Sequence, residues 1–171
     1  MSVTLDITTA GASANAYADA TFYDAYFESN VIFTSVWGAF TSGQKAARIV
    51  EATKAMDLVS VDFSGVPYSE TQALEFPRDI SSSRFPSSSI HRRVKEAAGE
   101  MLVYQHYSKD ATNGSIDGKA VSKIAAVNGL VDIEYFEKNE TSASDQAAGG
   151  SLARVRALLA PWLGAKTLKR Y

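Results

Sequence analysis

Apolar residues recur at helical spacing in several stretches of the chain, and a possible cap precedes most of them. We predict four helices, over residues of about 20–29, 42–58, 90–107 and 151–163. Asp19 is placed to cap the first helix, and Ser89 is placed to cap the third. Thr41 and Gln44 have the spacing of a capping box at the start of the second helix.

An alternation of apolar and polar residues predicts a β-hairpin over residues 119–136. Its two strands flank Asn128-Gly129, the pair preferred in a two-residue type I′ turn. A hairpin alone is marginally stable in water, so we expect it to pack on the helices or to pair with another chain. Asp132 and Glu134 share one strand face, which we interpret as solvated; a cation site or an acid–base pair is the alternative.

A short motif between the second and third predicted helices is neither a clear helix nor a clear strand. Its residues are Gln72, Ala73, Leu74, Phe76, Pro77 and Arg78. Pro77 fixes its own φ angle and restricts Phe76 to extended geometry, which favours a packed connector. We expect Leu74 and Phe76 to be buried. Pro77 should end the extended piece, and Arg78 should reach a carboxylate or a carbonyl group. The polar residues 79–89 are predicted to form a mobile loop.

These elements predict one mainly α domain over residues 1–171, a small bundle of about four helices with an appended β-hairpin. At 46% hydrophobic residues, the chain can bury a core of its own. The two arms, residues 1–16 and 164–171, are predicted to be loose, and residues 137–150 to be a linker. For the N-terminal arm, a strand that orders on a neighbouring subunit is the alternative.

Composition argues against several function classes. The chain has a formal net charge of −2, no cysteine, and no apolar run close to the ~18 residues of a membrane span. Its N-terminus lacks signal-peptide features, which favours a cytosolic product. The two histidines, His91 and His106, are fifteen residues apart and lack metal-ligand spacing. With no nucleophile pair and no phosphate loop, we predict no catalytic residue, metal, cofactor or enzyme activity.

Two groups of basic residues could meet a partner. Arg92 and Arg93 fall in the first turn of the third predicted helix, where a cation is disfavoured by ~0.3–1 kcal/mol. A solvated face explains them, and an acidic partner or a phosphate is the alternative. Other basic residues are scattered, without the aromatic-lined basic groove that single-stranded DNA needs. The candidate partner contacts are Asn128, Gly129, Arg92, Arg93, Lys169, Arg170 and Tyr171.

Several separate pieces of the sequence match one family in order. They include Asn15-Ala16-Tyr17, Asp24-Ala25-Tyr26-Phe27, Gln72 to Arg78, Ile133-Glu134-Tyr135 and Leu158-Leu159-Ala160-Pro161. The central piece is similar to the hallmark Gln-Ala-Leu-x-Trp-Pro-Arg, with Phe76 in place of tryptophan. Over residues of about 15–163, the chain resembles the tailed-phage proteins often labelled DnaT-like single-stranded-DNA-binding. His91 stands where that family usually has a second proline.

The resemblance implies a head-tail adaptor, because the family's genes lie among phage head and tail assembly genes. Such head-completion or connector proteins form a ring, typically of twelve copies, between the portal protein and a downstream tail or nozzle protein. DNA passes through the ring during ejection without specific binding. We therefore expect a virion protein of the neck, made in the bacterial host cytoplasm, with no membrane partner. The alternative is a single-stranded-DNA-binding accessory protein, with Arg92, Arg93, Lys95 and the tail cations contacting phosphates.

Overall fold

The computed structural model describes residues 3–31, 33–59, 63–113, 124–127, 130–133 and 143–163. The helices of these ranges are α1 (Ala20–Glu28), α2 (Thr34–Gly38), α3 (Ser42–Val59), α4 (Arg92–Asn113) and α5 (Ala143–Leu159). The strands are β1 (Val66–Pro67), β2 (Arg78–Asp79), β3 (Ile124–Val127) and β4 (Leu130–Ile133), and a 3₁₀ turn spans Ala160–Trp162. The expected fold class, a mainly helical bundle with a β-hairpin, is confirmed.

Two of the predicted caps are present. The Asp19 carboxylate accepts a hydrogen bond from the backbone N–H of Phe22 at 2.9 Å and begins α1. At α3, the Thr41 hydroxyl accepts from the N–H of Gln44, and the Gln44 side chain accepts from the N–H of Thr41. These reciprocal bonds satisfy donors that a helix leaves open at its first turn.

The start of α4 differs from the prediction. The helix begins at Arg92, and the residue before it is His91, so Ser89 is not its cap. The Nδ1 atom of His91 accepts a hydrogen bond from the backbone N–H of Arg93 at 3.2 Å. An imidazole therefore fills the capping role that the sequence pattern assigned to a serine hydroxyl.

Two helical segments were not predicted. α2 lies between the first two predicted helices, where the sequence pattern indicated no element, and residues 143–150 of the predicted linker form the first half of α5. Small residues in this part of the sequence show no apolar periodicity, and α5 as a whole packs on α4. Within the described ranges, no helix is long and apolar enough to cross a membrane.

The core lies between α1, α3, α4 and α5, with an aromatic cluster where α2 closes it. The ring of Phe27 lies 4.7 Å from that of Phe33 and 5.1 Å from that of Trp37, centroid to centroid. The buried apolar residues of the three longer helices include Ile49, Ala52, Met56, Val94, Ala97, Met101, Val155 and Leu159. Their spacing is that of a helix face turned towards the core.

The N-terminal arm is irregular, as expected, but its described part is not loose. The backbone N–H of Asn15 donates to the carbonyl of Asp6, and the N–H of Asp6 donates to the Asn15 side chain. The carbonyl of Gly11 accepts from the N–H of Ala73, which fixes the arm to the central motif. Two of these bonds join backbone groups and one involves a side chain, and such bonds within a Thr/Ala/Ser segment give no periodic signal in the sequence. The C-terminal arm lies outside the described residues.

The predicted hairpin is present with shorter strands. β3 and β4 are antiparallel, with Ile124 opposite Ile133 and Val127 opposite Leu130, so two residues separate the strands. Those two residues, Asn128-Gly129, lie outside the described ranges. The second pair, β1 with β2, was not predicted, because strands of two residues carry no alternation.

Candidate nucleic-acid interface

The central motif is the packed connector that the sequence indicated. Phe76 is buried, and the rings of Tyr17, Phe63 and Trp162 surround it edge-on, with centroids 5.9, 5.0 and 5.5 Å away. The peptide bond between Phe76 and Pro77 is cis. The burial of Phe76 is confirmed, whereas Leu74 is only half-buried.

Arg78 is held by a set of backbone carbonyl groups, which we call the carbonyl cradle (residues 63–65). Its Nε donates to the carbonyl of Ser64 at 3.1 Å, and its Nη2 donates to those of Phe63 and Gly65 at 3.3 and 2.9 Å. Its Nη1 pairs with the Glu75 carboxylate at 2.5 Å. The prediction that Arg78 reaches a carboxylate or carbonyl is confirmed, and all three nitrogens are occupied.

The cradle requires a glycine at position 65. Gly65 has a φ angle of +75°, and a Cβ atom there would lie 2.0 Å from the carbonyl oxygen of Asp79. The backbone is this close because β1 pairs with β2 across the motif, with Pro67 opposite Arg78. The prediction that Pro77 ends the extended piece is therefore wrong. Its carbonyl accepts from the N–H of Tyr68, and the chain continues into β2.

Two polar side chains hold the rest of the motif. The Gln72 amide donates to the carbonyls of Leu74 and Pro77 at 2.6 and 3.2 Å. Asp57, near the end of α3, accepts hydrogen bonds from the Tyr17 hydroxyl and from the backbone N–H of Glu75. Burial raises the pKa of Asp57 to about 6, although both hydrogen bonds act to lower it.

Two basic–aromatic groups lie at the start of α4, one formed by Arg84, Phe85, His91 and Arg93 and the other by Phe22 and Lys95, and together we call them the basic-aromatic surface. Arg93 and Lys95 flank the buried Val94, so the two groups lie on either side of it. The guanidinium carbons of Arg84 and Arg93 lie 5.8 and 6.0 Å from the centroid of Phe85. The ammonium nitrogen of Lys95 lies 5.8 Å from the centroid of Phe22. Both phenylalanine rings are half-buried, so part of each remains accessible.

The electrostatic environment of this surface is positive. Among the described residues, no carboxylate pairs with Arg84, Arg93 or Lys95; the neighbouring Arg92 does pair, with Glu96 at 2.7 Å. The pKa of His91 is lowered, mainly by burial and then by the charge of Arg93. Arg84 lowers this pKa further, while Glu96 raises it. Burial is thus the main reason that the imidazole favours its neutral form, and the two arginines add to it.

The whole sequence matches one protein family. Residues 1–170 match a family described as "Putative DnaT-like ssDNA binding protein". The chain belongs to this DnaT-like family. No curated protein and no solved structure matches the sequence.

This finding overturns our interpretation of the chain as a head-tail adaptor. The family is described by single-stranded-DNA binding, and nothing in the match supports a connector, a neck protein, a ring or a role in genome ejection. We gave too much weight to the scatter of the basic residues along the sequence, because the fold places three of them against aromatic rings at or just before the start of α4. The expected contacts with portal and tail proteins and the expected location stay predictions.

The structure of the DnaT-like chain separates the predicted contact residues. Arg93 belongs to the basic-aromatic surface, while Arg92 is exposed beside it and paired with Glu96. Asn128, Gly129, Lys169, Arg170 and Tyr171 lie outside the described residues. Arg84 and Phe85 were missed, since they fall in a serine-rich stretch that we predicted to be a mobile loop. The one available signal was an arginine directly followed by an aromatic residue within that stretch.

The ring of Trp162 packs against both the central motif and the basic-aromatic surface. Phe85 lies 4.9 Å from Trp162, and Trp162 lies 5.5 Å from Phe76, centroid to centroid. Across the described part of the chain, no group of three or more His, Cys, Asp or Glu residues is arranged to hold a metal ion. The cations and rings of the surface can make ionic contacts and stacking contacts.

Proposed function

We propose that the chain is a single-stranded-DNA-binding accessory protein whose basic-aromatic surface holds the strand. One observation carries the proposal: Arg84, Arg93 and Lys95 each lie against a phenylalanine ring and, in the described ranges, have no carboxylate partner. Cations beside accessible aromatic rings are the combination that binds single strands without sequence preference. In this proposal the protein binds DNA and catalyses no reaction.

The two residue types have separate tasks. The three cations would contact phosphate groups, and the accessible parts of Phe22 and Phe85 would stack on bases. Arg93 and Lys95 lie in the first turns of α4, where the open N–H groups of the helix also favour an anion. A bound phosphate would therefore relieve the repulsion that these cations cause at a helix N-terminus.

The overall charge of −2 does not oppose this function. Binding depends on the local field, and among the described residues neither the exposed Arg84 nor the half-buried Arg93 and Lys95 is paired with a carboxylate. Since three phosphate contacts are made, the logarithm of the association constant should fall with the logarithm of salt concentration with a slope of about −2. This modest slope distinguishes a small surface from a long basic channel.

The test is fluorescence anisotropy with a labelled oligothymidine strand over a range of salt concentrations. We expect wild-type binding to weaken with salt, and the triple variant Arg84→Ala, Arg93→Ala, Lys95→Ala to lose most of the slope. Wild-type protein that binds no single strand at low salt would refute the proposal. So would a triple variant that binds as tightly as the wild type.

Arg48→Ala is the matched control. Arg48 is also an arginine over a phenylalanine, 5.2 Å from the centroid of Phe40, but it lies on α3. Phe40 contacts His106, thirteen residues along α4 from Arg93, which corresponds to about 20 Å. The control removes an arginine–aromatic contact away from the surface, and we expect its DNA affinity and salt slope to equal those of the wild type.

A further inference from the structure

A cavity of about 420 Å³ opens beside the basic-aromatic surface, between the end of α1, α4 and α5. Its walls include Tyr26, Asn30, Phe33, Glu100, Ser151 and Arg154. The volume lies in the range of small-molecule sites, and the lining combines aromatic rings with a few polar groups, as such sites do.

Glu100 is the unusual residue of this cavity. It is only 3% exposed, and its Oε1 accepts a hydrogen bond from the Tyr26 hydroxyl at 2.8 Å. The Arg154 guanidinium is 3.5 Å from the same oxygen, and its side chain is 69% exposed. The second oxygen, Oε2, is buried with no donor. Among the described residues with such an unsatisfied buried atom, Glu100 is the only carboxylic acid.

A buried carboxylate oxygen without a donor is unfavourable, and such groups often mark a functional site. An ionised carboxylate can only accept hydrogen bonds, so its missing partner must supply N–H or O–H groups. Arg154 is loosely held and can turn away. That movement would open the way from the cavity to the carboxylate.

The cavity continues the proposed DNA path. Lys95 contacts Phe22, and Phe22 stacks on Tyr26 with ring centroids 6.3 Å apart and planes within 7°. Tyr26 in turn donates to Glu100 and lines the cavity. Lys95 and Glu100 are therefore both joined to α1, one through Phe22 and the other through Tyr26. A strand that contacts Lys95 and follows α1 is placed to offer a neighbouring base to the cavity.

We propose that the cavity binds an unstacked guanine base of the bound strand, a specificity that rests on the proposed function. The Glu100 carboxylate accepts from the N1–H and the N2 amino group of guanine, two adjacent donors that match its two oxygens. Thymine offers one N–H between two carbonyl groups, which the carboxylate repels. Cytosine and adenine offer an amino group next to an acceptor nitrogen. The displaced Arg154 is free to donate to guanine O6.

The test compares labelled oligothymidine strands of about 20 nucleotides that carry one central guanine, inosine, cytosine or no substitution. We expect the guanine strand to bind wild-type protein about fivefold or more tightly than the unsubstituted strand. Inosine lacks the N2 amino group, so its strand should lose most of that preference. Equal affinities for all four strands, with salt-dependent binding intact, would overturn this inference and leave the proposed function standing. Absence of binding to every strand would overturn both.

Two variants locate the preference. Glu100→Gln replaces Oε2 by an amide group, and we expect oligothymidine affinity to be unchanged while the guanine preference disappears. Gly150→Leu places a side chain at the cavity wall, where a Cβ atom meets nothing within 4 Å, and should also remove the preference. Gly43→Leu, at another open helical glycine, is its control and should keep the preference. A guanine preference that survives in both Glu100→Gln and Gly150→Leu would refute the site.

Discussion

Arg78 and Arg93 have the same side chain and opposite roles in this molecule. Arg78 is buried, with its three nitrogens bonded to three backbone carbonyls and to Glu75. Arg93 lies over Phe85, and no carboxylate of the described chain pairs with it. A fully bonded guanidinium stabilises the fold and has nothing left for a ligand, whereas one held only by a ring keeps its donors for a phosphate.

The comparison also separates two regions. The most distinctive stretch of the sequence, residues 72–78, proves to be a structural connector around Phe76 and Arg78. The candidate DNA contacts Arg84 and Phe85 come from the serine-rich stretch that follows it. A conspicuous sequence motif therefore does not have to be the functional site.

The largest expected effect is on stability, from Arg78→Ala. This change leaves the carbonyls of Phe63, Ser64 and Gly65 without their donor, and we expect unfolding to become easier by about 3 kcal/mol. Chemical denaturation measures this change. Arg84→Ala is the partner experiment and should alter stability by less than about 0.5 kcal/mol. Similar losses of stability from Arg78→Ala and Arg84→Ala would contradict the distinction between a structural arginine of the motif and a surface arginine.

The second expected effect concerns Asp57, which ties α3 to the motif. Its pKa is about 6 in the folded chain and 3.8 in the reference state, so between these values the folded chain holds a proton that the unfolded chain releases. The free energy of unfolding should therefore fall as pH rises from about 4 to about 6, by up to about 3 kcal/mol. Asp57→Asn should lack this fall in denaturation curves measured across that range.

Asp24→Asn is the control, because the pKa of Asp24 is shifted in the opposite direction to that of Asp57. The hydrogen bond from Lys45 lowers the pKa of Asp24, so this group contributes stability above its reference pKa of 3.8 and loses it as pH falls through the lower folded value. Removing it should reduce stability at neutral pH. If Asp57→Asn also reduced stability at neutral pH, as Asp24→Asn should, the raised pKa of the Asp57 carboxyl group would be contradicted.

A smaller effect is expected from Phe85→Leu. Leucine keeps apolar packing beside Trp162 but removes the flat ring on which a base can stack, so single-strand binding should weaken by about 1 kcal/mol. Anisotropy measures the affinity, and thermal melting checks that the fold is kept. Phe40→Leu is the control, because Phe40 contacts Arg48 away from the basic-aromatic surface. It should leave DNA affinity unchanged. Equal affinities for wild type and Phe85→Leu would remove stacking at Phe85 from the proposal.

The smallest effect is a pH dependence of binding through His91. The pKa of His91 lies below 6.5, so this residue is neutral at pH 7 and gains its charge as pH falls through the lowered value. The added charge lies beside Arg84 and Arg93, and should strengthen DNA binding about twofold relative to His91→Gln. Because the neutral form is favoured in the folded chain, stability should fall over the same range. A wild-type affinity that followed the same pH course as the variant would contradict this role.

Sequence patterns predicted what depends on local periodicity. The caps at Asp19 and Thr41, the helix faces and the burial of Phe76 all follow from residue spacing and side-chain type. The basic-aromatic surface could not be predicted in this way. Its contacts join Phe22 of α1 to Lys95 of α4, and Arg93 of α4 to Phe85 of the loop before it, and only tertiary packing brings these positions together. The first half of α5 was missed because small residues carry no periodic signal.

Trp162 gives the chain an order of assembly during synthesis. Its ring packs against Phe76 and Phe85, and its carbonyl accepts from the backbone N–H of Ser64 at 2.6 Å, across about one hundred residues of sequence. The motif and the surface are therefore translated long before the residue that closes both. The loop that carries Arg84 and Phe85 therefore gains this packing partner only when the 3₁₀ turn has left the ribosome. Folding of the proposed DNA-contacting loop is thereby coupled to synthesis of a segment about eighty residues further along the chain.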